Sequence, residues 1–143
     1  MKTKTTIGKM ENVENERVAR DRDFLRRCMA LSRHVSTKGL SCREVAPKAA
    51  ASPAPGYYIS YDYALRIVGG GKSAEIRGSM PRQRNEEIRR RVREITRKRG
   101  TSKGRALTMV LESGASRFFI SPKRAERMFY EYLNYKRTGG GVR

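Results

Sequence analysis

The sequence contains an internal duplication, which constrains the fold more than any other feature because both copies must follow a similar chain path. In the first block, residues 20–33 align with residues 84–97, four arginines coincide and the apolar positions stay apolar. Two further blocks follow in the same order, Thr37-Lys38-Gly39 over Ser102-Lys103-Gly104 and Tyr57-Tyr58-Ile59-Ser60 over Phe118-Phe119-Ile120-Ser121. We therefore predict two tandem copies of one structural unit.

Each copy is predicted to form three α-helices. The first helix has apolar residues at i, i+4 and i+7, which form one helix face, while arginines occupy the rest. These residues are Phe24, Cys28 and Leu31 in copy one, and Ile88, Val92 and Ile95 in copy two. A glycine ends this helix, and Ser41 with Glu44 has the spacing of a capping box for the second. Ser60 or Ser121 is expected to cap the third helix.

A core built from a single copy of about 50 residues is only marginally stable, so the two copies are expected to share a core. We predict an all-α fold of two tandem three-helix repeats that share a core through Phe24, Ile88, Val92, Phe119 and Phe129. The repeats are helix-turn-helix-like, but with a longer second connection. The predicted limits are a flexible N-terminal segment 1–15, a first repeat 16–68, a Gly-rich linker 69–81, a second repeat 82–137 and a flexible tail 138–143.

The net charge indicates the class of partner. The 143 residues include 33 Lys plus Arg against 14 Asp plus Glu, a formal net charge of +19. Such an excess attracts polyanions. No segment approaches the length of about 18 apolar residues that a membrane helix needs, and no signal peptide is recognisable. We therefore expect a cytoplasmic protein with no membrane partner. The sequence does not indicate an oligomeric state.

Arginine-rich helix surfaces are the predicted binding site. In the first helix of copy two, basic side chains cover every face except the Ile88/Val92/Ile95 stripe, and the planar guanidinium suits bidentate phosphate or guanine contacts. The start of the third helix offers a second basic surface. The predicted nucleic-acid-binding residues are Arg26, Arg27, Arg33, Lys38, Arg66, Arg89, Arg90, Arg91, Arg93, Arg97, Lys98, Arg99, Lys103, Arg105, Lys123, Arg124 and Arg127.

No catalytic site is recognisable in the sequence. Gly71-Lys72-Ser73 resembles the end of a phosphate-binding loop, but a helix precedes it where that motif needs a strand. His34, the one histidine, lacks partners at the spacing of a catalytic triad or a metal site. We expect no enzyme activity, no catalytic residue, no metal and no cofactor. Cys28 and Cys42 are expected to be reduced, with Cys28 packed in the core.

Four tyrosines crowd one short stretch of copy one, namely Tyr57, Tyr58, Tyr61 and Tyr63. Unpaired bases could stack on such rings. The alternative is that Tyr57 and Tyr58 fill the core between the second and third helices. Because phenylalanines replace these two residues in copy two, we favour the core interpretation.

The block before the third helix of copy two resembles a known pattern. It runs from Ala115-Ser116-Arg117 through Ser121-Pro122 to Ala125 and Met128, and copy one follows it from Ala54 to Ser60 with Tyr61 in place of the proline. The pattern is similar to that of an uncharacterised group of short basic proteins from gut-type bacteria and their mobile elements. The resemblance covers about a quarter of the chain. It implies no particular activity, only a link to phages or transposons.

Together these features predict a non-enzymatic nucleic-acid-binding protein that grips the phosphate backbone, with duplex DNA as the first choice. Binding is expected to proceed by charge neutralisation and counterion release. One alternative is a structured-RNA-binding accessory of a ribonucleoprotein or reverse transcriptase. A second alternative is a basic interaction protein that docks on an acidic protein partner.

Overall fold

A computed structural model of the chain describes residues 2–34, 39–69 and 78–139, with side chains described from residue 15 onward. These parts form six α-helices and no strand. The helices are α1 Lys2–Arg33, α2 Cys42–Ala50, α3 Tyr61–Val68, α4 Met80–Arg99, α5 Lys103–Glu112 and α6 Pro122–Arg137. The predicted all-α class is confirmed.

The helix α1 is longer than predicted. Residues 2–15, expected to form a flexible segment, belong to the same helix as residues 16–33. This stretch contains no proline and only one glycine, Gly8, whereas its Lys, Met and Glu residues favour helix. The helix α4 likewise begins at Met80, inside the predicted linker. Residues 70–77 of that linker and residues 140–143 of the predicted tail lie outside the described residues.

Serine side chains begin the helices where the sequence predicted. The hydroxyls of Ser60 and Ser121 accept backbone N–H hydrogen bonds at the starts of α3 and α6, at 3.1 and 3.3 Å. At α2, the Glu44 carboxylate accepts from the hydroxyl of Ser41 at 3.1 Å and from its backbone N–H at 3.5 Å. The bonds from backbone N–H groups satisfy donors that the start of a helix would otherwise leave unpaired. The bond between the Ser41 hydroxyl and Glu44 restrains the chain that enters α2. The predicted caps of α2, α3 and α6 are confirmed.

The third helices are exchanged between the two halves of the chain. The helix α1 packs on α2, and α4 packs on α5, as expected within each half. By contrast, α3 packs mainly on α4 and α5, and α6 packs on α2 and α1. Each third helix thus covers the first two helices of the other half. The halves 16–68 and 82–137 are contiguous in sequence but interlocked in space.

The connections that enter α3 and α6 cross at one antiparallel β-bridge between Ala54 and Ala115. The two residues exchange both backbone hydrogen bonds, at 3.0 and 2.9 Å. Shortly after the crossing, Tyr58 and Phe119 both have a left-handed backbone, with φ of 60° and 58°. Tyr58 and Phe119 are equivalent in the third block of the sequence alignment. Ala54 and Ala115 each lie three residues before the start of that block. The crossing therefore marks a local two-fold axis, an arrangement that is compatible with the predicted duplication.

The structure corrects the predicted alignment of the second helices. The second alignment block placed Thr37 over Ser102, but Ser41 and Ser102 are both N-caps, so that the buried Val45 corresponds to the buried Ala106. The predicted register was wrong by four residues. Because four residues are close to one helical turn, such a shift returns the same face and preserves the apolar pattern. With this register, one length difference between the first and second helices relates the two halves.

One core joins both halves of the chain. The five residues predicted to share it, Phe24, Ile88, Val92, Phe119 and Phe129, all lie in a single cluster of buried side chains. Cys28 is fully buried in the same cluster, and Cys42 is partly buried, with neither in a disulfide. The core interpretation of Tyr57 is confirmed, since its side chain is 5% exposed and stacks on Phe119.

Candidate nucleic-acid interface

Arg89 and Arg91, two members of the predicted binding set, are engaged within the protein. Arg89 Nε donates to the carbonyl oxygen of Ile67 at 2.9 Å, near the end of α3. Arg91 Nη1 donates to the Tyr57 hydroxyl and to the carbonyl oxygen of Gly114, both at 2.6 Å. The two half-buried guanidinium groups hold the exchanged α3 and the crossing against α4. Their first role is therefore structural.

Two carboxylates complete this crossing region. The Tyr57 hydroxyl donates to Glu87 Oε2 at 2.6 Å, and the backbone N–H of Ser116 donates to the same oxygen at 3.3 Å. Burial raises the pKa of Glu87, but the hydrogen bonds from Ser116 and Tyr57 outweigh it and hold the pKa below its ordinary value. The second carboxylate is Asp23 of α1, whose Oδ2 accepts a hydrogen bond from the Tyr58 hydroxyl at 2.7 Å. These carboxylates are structural acceptors that fix the aromatic residues.

The other described members of the predicted set have exposed side chains. Arg26 lies 3.9 Å from Asp23 but is 73% exposed, so this ion pair is weak. Lys38 lies outside the described residues. The side chains without an ion pair or hydrogen bond to any described residue are Arg27, Arg33, Arg66, Arg90, Arg93, Arg97, Lys98, Arg99, Lys103, Arg105, Lys123, Arg124 and Arg127.

The end of α4 and the start of α5 carry the densest part of this set. We define the α4–α5 basic surface as Arg90, Arg93, Arg97, Lys98, Arg99, Lys103 and Arg105. Arg90, Arg93 and Arg97 are spaced three or four residues apart and so share one face of α4. Gly100, with a φ of 65°, ends α4, and Ser102 starts α5 directly after it. Glu94 is the one acidic residue between residues 90 and 105.

The start of α6 carries a second exposed basic group. Lys123 and Arg127 border a groove between α2 and α6 that also contains Glu126. Glu126 accepts an ion-paired hydrogen bond from Arg43 of α2 at 3.0 Å. The start of α6 carries three exposed basic residues of the predicted set, whereas the α4–α5 basic surface carries seven. The start of α6 is therefore a weaker candidate for a polyanion contact.

A third basic region is a groove between α1 and α6, where the sequence had indicated only Arg26 and Arg33. Arg22 and Lys136 also border this groove, and the apolar Leu25, Met29 and Tyr132 form its floor. The sequence had no local signal for Lys136, because only the packing of the exchanged α6 on α1 brings it there. Arg26 and Arg33 occupy the positions equivalent to Arg90 and Arg97 of α4, so each half exposes an equivalent pair of arginines.

Within the part of the chain that the structure describes, no group of three or more His, Cys, Asp or Glu side chains could hold a metal ion. No helix among these residues is both long and apolar enough to cross a membrane. Comparison of the chain with models of protein families, with curated proteins and with solved structures finds no match in any of the three.

Proposed function

We propose that the protein is a non-enzymatic nucleic-acid-binding protein that grips the phosphate backbone of duplex DNA. The observation that carries this proposal is the α4–α5 basic surface, whose side chains have no acidic partner among the described residues. Exposed like charges repel each other, and a polyanion relieves that repulsion. Arginine predominates over lysine on this surface, and its planar fork matches a phosphate group in bidentate geometry.

The local two-fold axis supports a duplex as the partner. The exposed Arg26 and Arg33 of α1 are equivalent to the exposed Arg90 and Arg97 of α4. A DNA duplex has its own two-fold axes, so a protein with two related halves can place equivalent side chains on equivalent phosphates. Because Asp23 lies beside Arg26, the α4 half is expected to contribute more of the affinity.

Structured RNA is the less favoured nucleic acid. RNA loops are recognised largely by stacking of unpaired bases on aromatic rings. The Tyr57 ring is buried against Phe119, and the Tyr58 ring stacks on Phe118, so these rings already have partners within the core. With two of the four clustered tyrosines engaged in this way, the case for an RNA loop is weaker.

An acidic protein partner is a second candidate, and the groove between α1 and α6 is the feature that favours it. Leu25, Met29 and Tyr132 form an apolar floor, with basic side chains at the rim. An acidic amphipathic helix combines the matching apolar and charged faces. For either partner we propose a cytoplasmic location and, from the resemblance of the block before α6, a link to a mobile element.

The salt dependence of duplex binding tests the proposed function. Fluorescence anisotropy of a labelled duplex is measured with nuclease-treated protein between about 50 and 200 mM salt. Each phosphate contact adds about −0.9 to the slope of log affinity against log salt, so four contacts would lower the affinity about a hundredfold across this range. A change smaller than about fivefold would correspond to little more than one contact and would contradict a phosphate grip.

A further inference from the structure

A pocket of about 500 Å³ lies among α1, α3, α4 and the connections that enter α3 and α6. Arg17 and Arg20 of α1 line one side, and the equivalent Pro81 and Arg84 of α4 line the other. Both halves of the chain therefore build the pocket together. The volume is within the range of small-molecule sites, which is about 300 to 1,000 Å³. Arg66 is the one residue of the predicted binding set that lines it.

Aromatic rings form the floor of this central pocket. They are two stacked pairs, Tyr57 on Phe119 and Tyr58 on Phe118, with ring centroids 6.2 and 6.4 Å apart. The two tyrosine hydroxyls donate to Glu87 and Asp23, and neither carboxylate lines the pocket. Tyr57, Phe118 and Phe119 are at most 8% exposed, so the floor closes the pocket with packed rings and presents little free ring surface. The accessible ring of this pocket lies on its rim.

The rim of the central pocket combines an accessible ring with charged groups. Tyr63 is 39% exposed, and the guanidinium of Arg84 lies 5.6 Å from the centre of its ring. Arg17 and Arg66 are exposed and have no ion pair with a described residue. The carboxylates of Glu16 and Asp62 also line the rim, as does Arg20, which is paired with Asp21 at 2.9 Å. Basic groups outnumber acidic ones, so an anionic group is favoured.

We propose that the central pocket binds one nucleotide, with its base on the exposed Tyr63 ring and its phosphate on Arg17 and Arg66. A planar base suits the Tyr63 ring, and guanidinium groups suit phosphate. Glu16 and Asp62 supply acceptors for the amino groups of a base. A paired and stacked base of a duplex cannot enter, so this site differs from the phosphate grip of the proposed function. Its ligand is a free nucleotide or one unpaired nucleotide of a single strand.

Calorimetric titration with adenosine 5′-monophosphate tests this site. Saturable binding is expected, with adenosine and inorganic phosphate each at least about tenfold weaker because each lacks one half of the recognised chemistry. Wild-type protein without saturable binding would overturn the proposal. So would equal affinity for inorganic phosphate, which would indicate a charge effect alone.

Two variants and a matched control locate the binding. Tyr63→Ala and Arg66→Ala are each expected to weaken the monophosphate about tenfold. Arg137→Ala replaces an exposed arginine of α6 that neither lines the pocket nor belongs to the predicted binding set, and should leave the affinity unchanged. Thermal unfolding of all three verifies the fold. An equal loss in the Arg137 variant would overturn the proposal, whatever the outcome of the duplex titration.

A competition arm identifies the source of the nucleotide. A short oligodeoxyadenylate is added to the complex with the labelled monophosphate. Displacement supports the pocket as a site for an unpaired nucleotide of a strand, and retention supports it as a site for the free nucleotide. Displacement that persists in the Tyr63→Ala and Arg66→Ala variants with unchanged affinity would contradict binding in the pocket.

Discussion

Replacing Arg90, Arg93 and Arg97 together by alanine is expected to weaken duplex binding at least about a hundredfold at about 100 mM salt. Removal of one phosphate contact makes the salt slope shallower by about 0.9, which corresponds to about eightfold in affinity at this salt concentration. All three side chains are exposed and lack partners among the described residues, so the fold should tolerate the change. Anisotropy titration of the variant, with its unfolding measured in parallel, checks the expectation.

A matched variant separates this surface from net charge. Arg22, Arg43 and Arg82 are already ion-paired, at 3.3, 3.0 and 2.9 Å, with Asp23, Glu126 and Glu86. Replacing these three by alanine removes the same formal charge but should weaken duplex binding less than about tenfold. Equal reductions in the two triple variants would mean that overall charge, and not the α4–α5 basic surface, determines the affinity.

Gly114→Ala is expected to lower the free energy of unfolding by about 3 kcal/mol. Gly114 has a φ of +83°, and a Cβ atom would lie 2.8 Å from the carbonyl oxygen of Ala54. That oxygen accepts the hydrogen bond of the crossing bridge, so it cannot move without disturbing the exchange of α3 and α6. Urea unfolding of wild type and variant measures the difference.

Gly100→Ala is the matched control for Gly114. Gly100 also has a positive φ, +65°, but a Cβ atom there would meet no heavy atom within 4 Å. Its substitution is expected to cost only the backbone strain of about 1 kcal/mol. If the two variants lose the same free energy of unfolding, the close approach of the two connections at the crossing does not make Gly114 more sensitive to substitution, which contradicts the prediction.

The sequence predicted which helices form and which faces they bury, but not how the helices are exchanged. Phe24 and Cys28 are four residues apart on α1, as are Ile88 and Val92 on α4. Residues with this spacing lie on one face of a helix, and in both helices this apolar face is the buried one. The exchange has no local signal, since two similar halves offer each third helix two similar docking sites. The bridge between Ala54 and Ala115, together with the hydrogen bonds of Arg89 and Arg91, holds the exchanged arrangement.

The same limit applies to the candidate interface. Arg27 and Arg91 align in the sequence, yet Arg27 is exposed and Arg91 is bound to the Tyr57 hydroxyl. Because the third helices are exchanged, Arg91 meets the tyrosine of copy one, while the equivalent ring of copy two is Phe118, which has no hydroxyl. The difference between Tyr57 and Phe118 is visible in the sequence, but it becomes informative only once the crossing is known.

The central pocket was beyond sequence analysis for a related reason. Arg17 lies in α1, Tyr63 in α3, and Pro81 and Arg84 in α4, at positions far apart along the chain. None of these residues forms a recognisable local motif. Their proximity results from the fold, which brings the three helices to one pocket.

Competition for a labelled duplex tests most directly whether the protein is a duplex DNA-binding protein. Unlabelled duplex DNA, hairpin RNA, single-stranded DNA of equal length and polyglutamate are compared at about 100 mM salt. We predict that duplex DNA displaces the label at a concentration at least about tenfold lower than any of the others, because it alone matches both related sets of arginines. Stronger displacement by the hairpin RNA, or equal displacement by polyglutamate, would contradict the account.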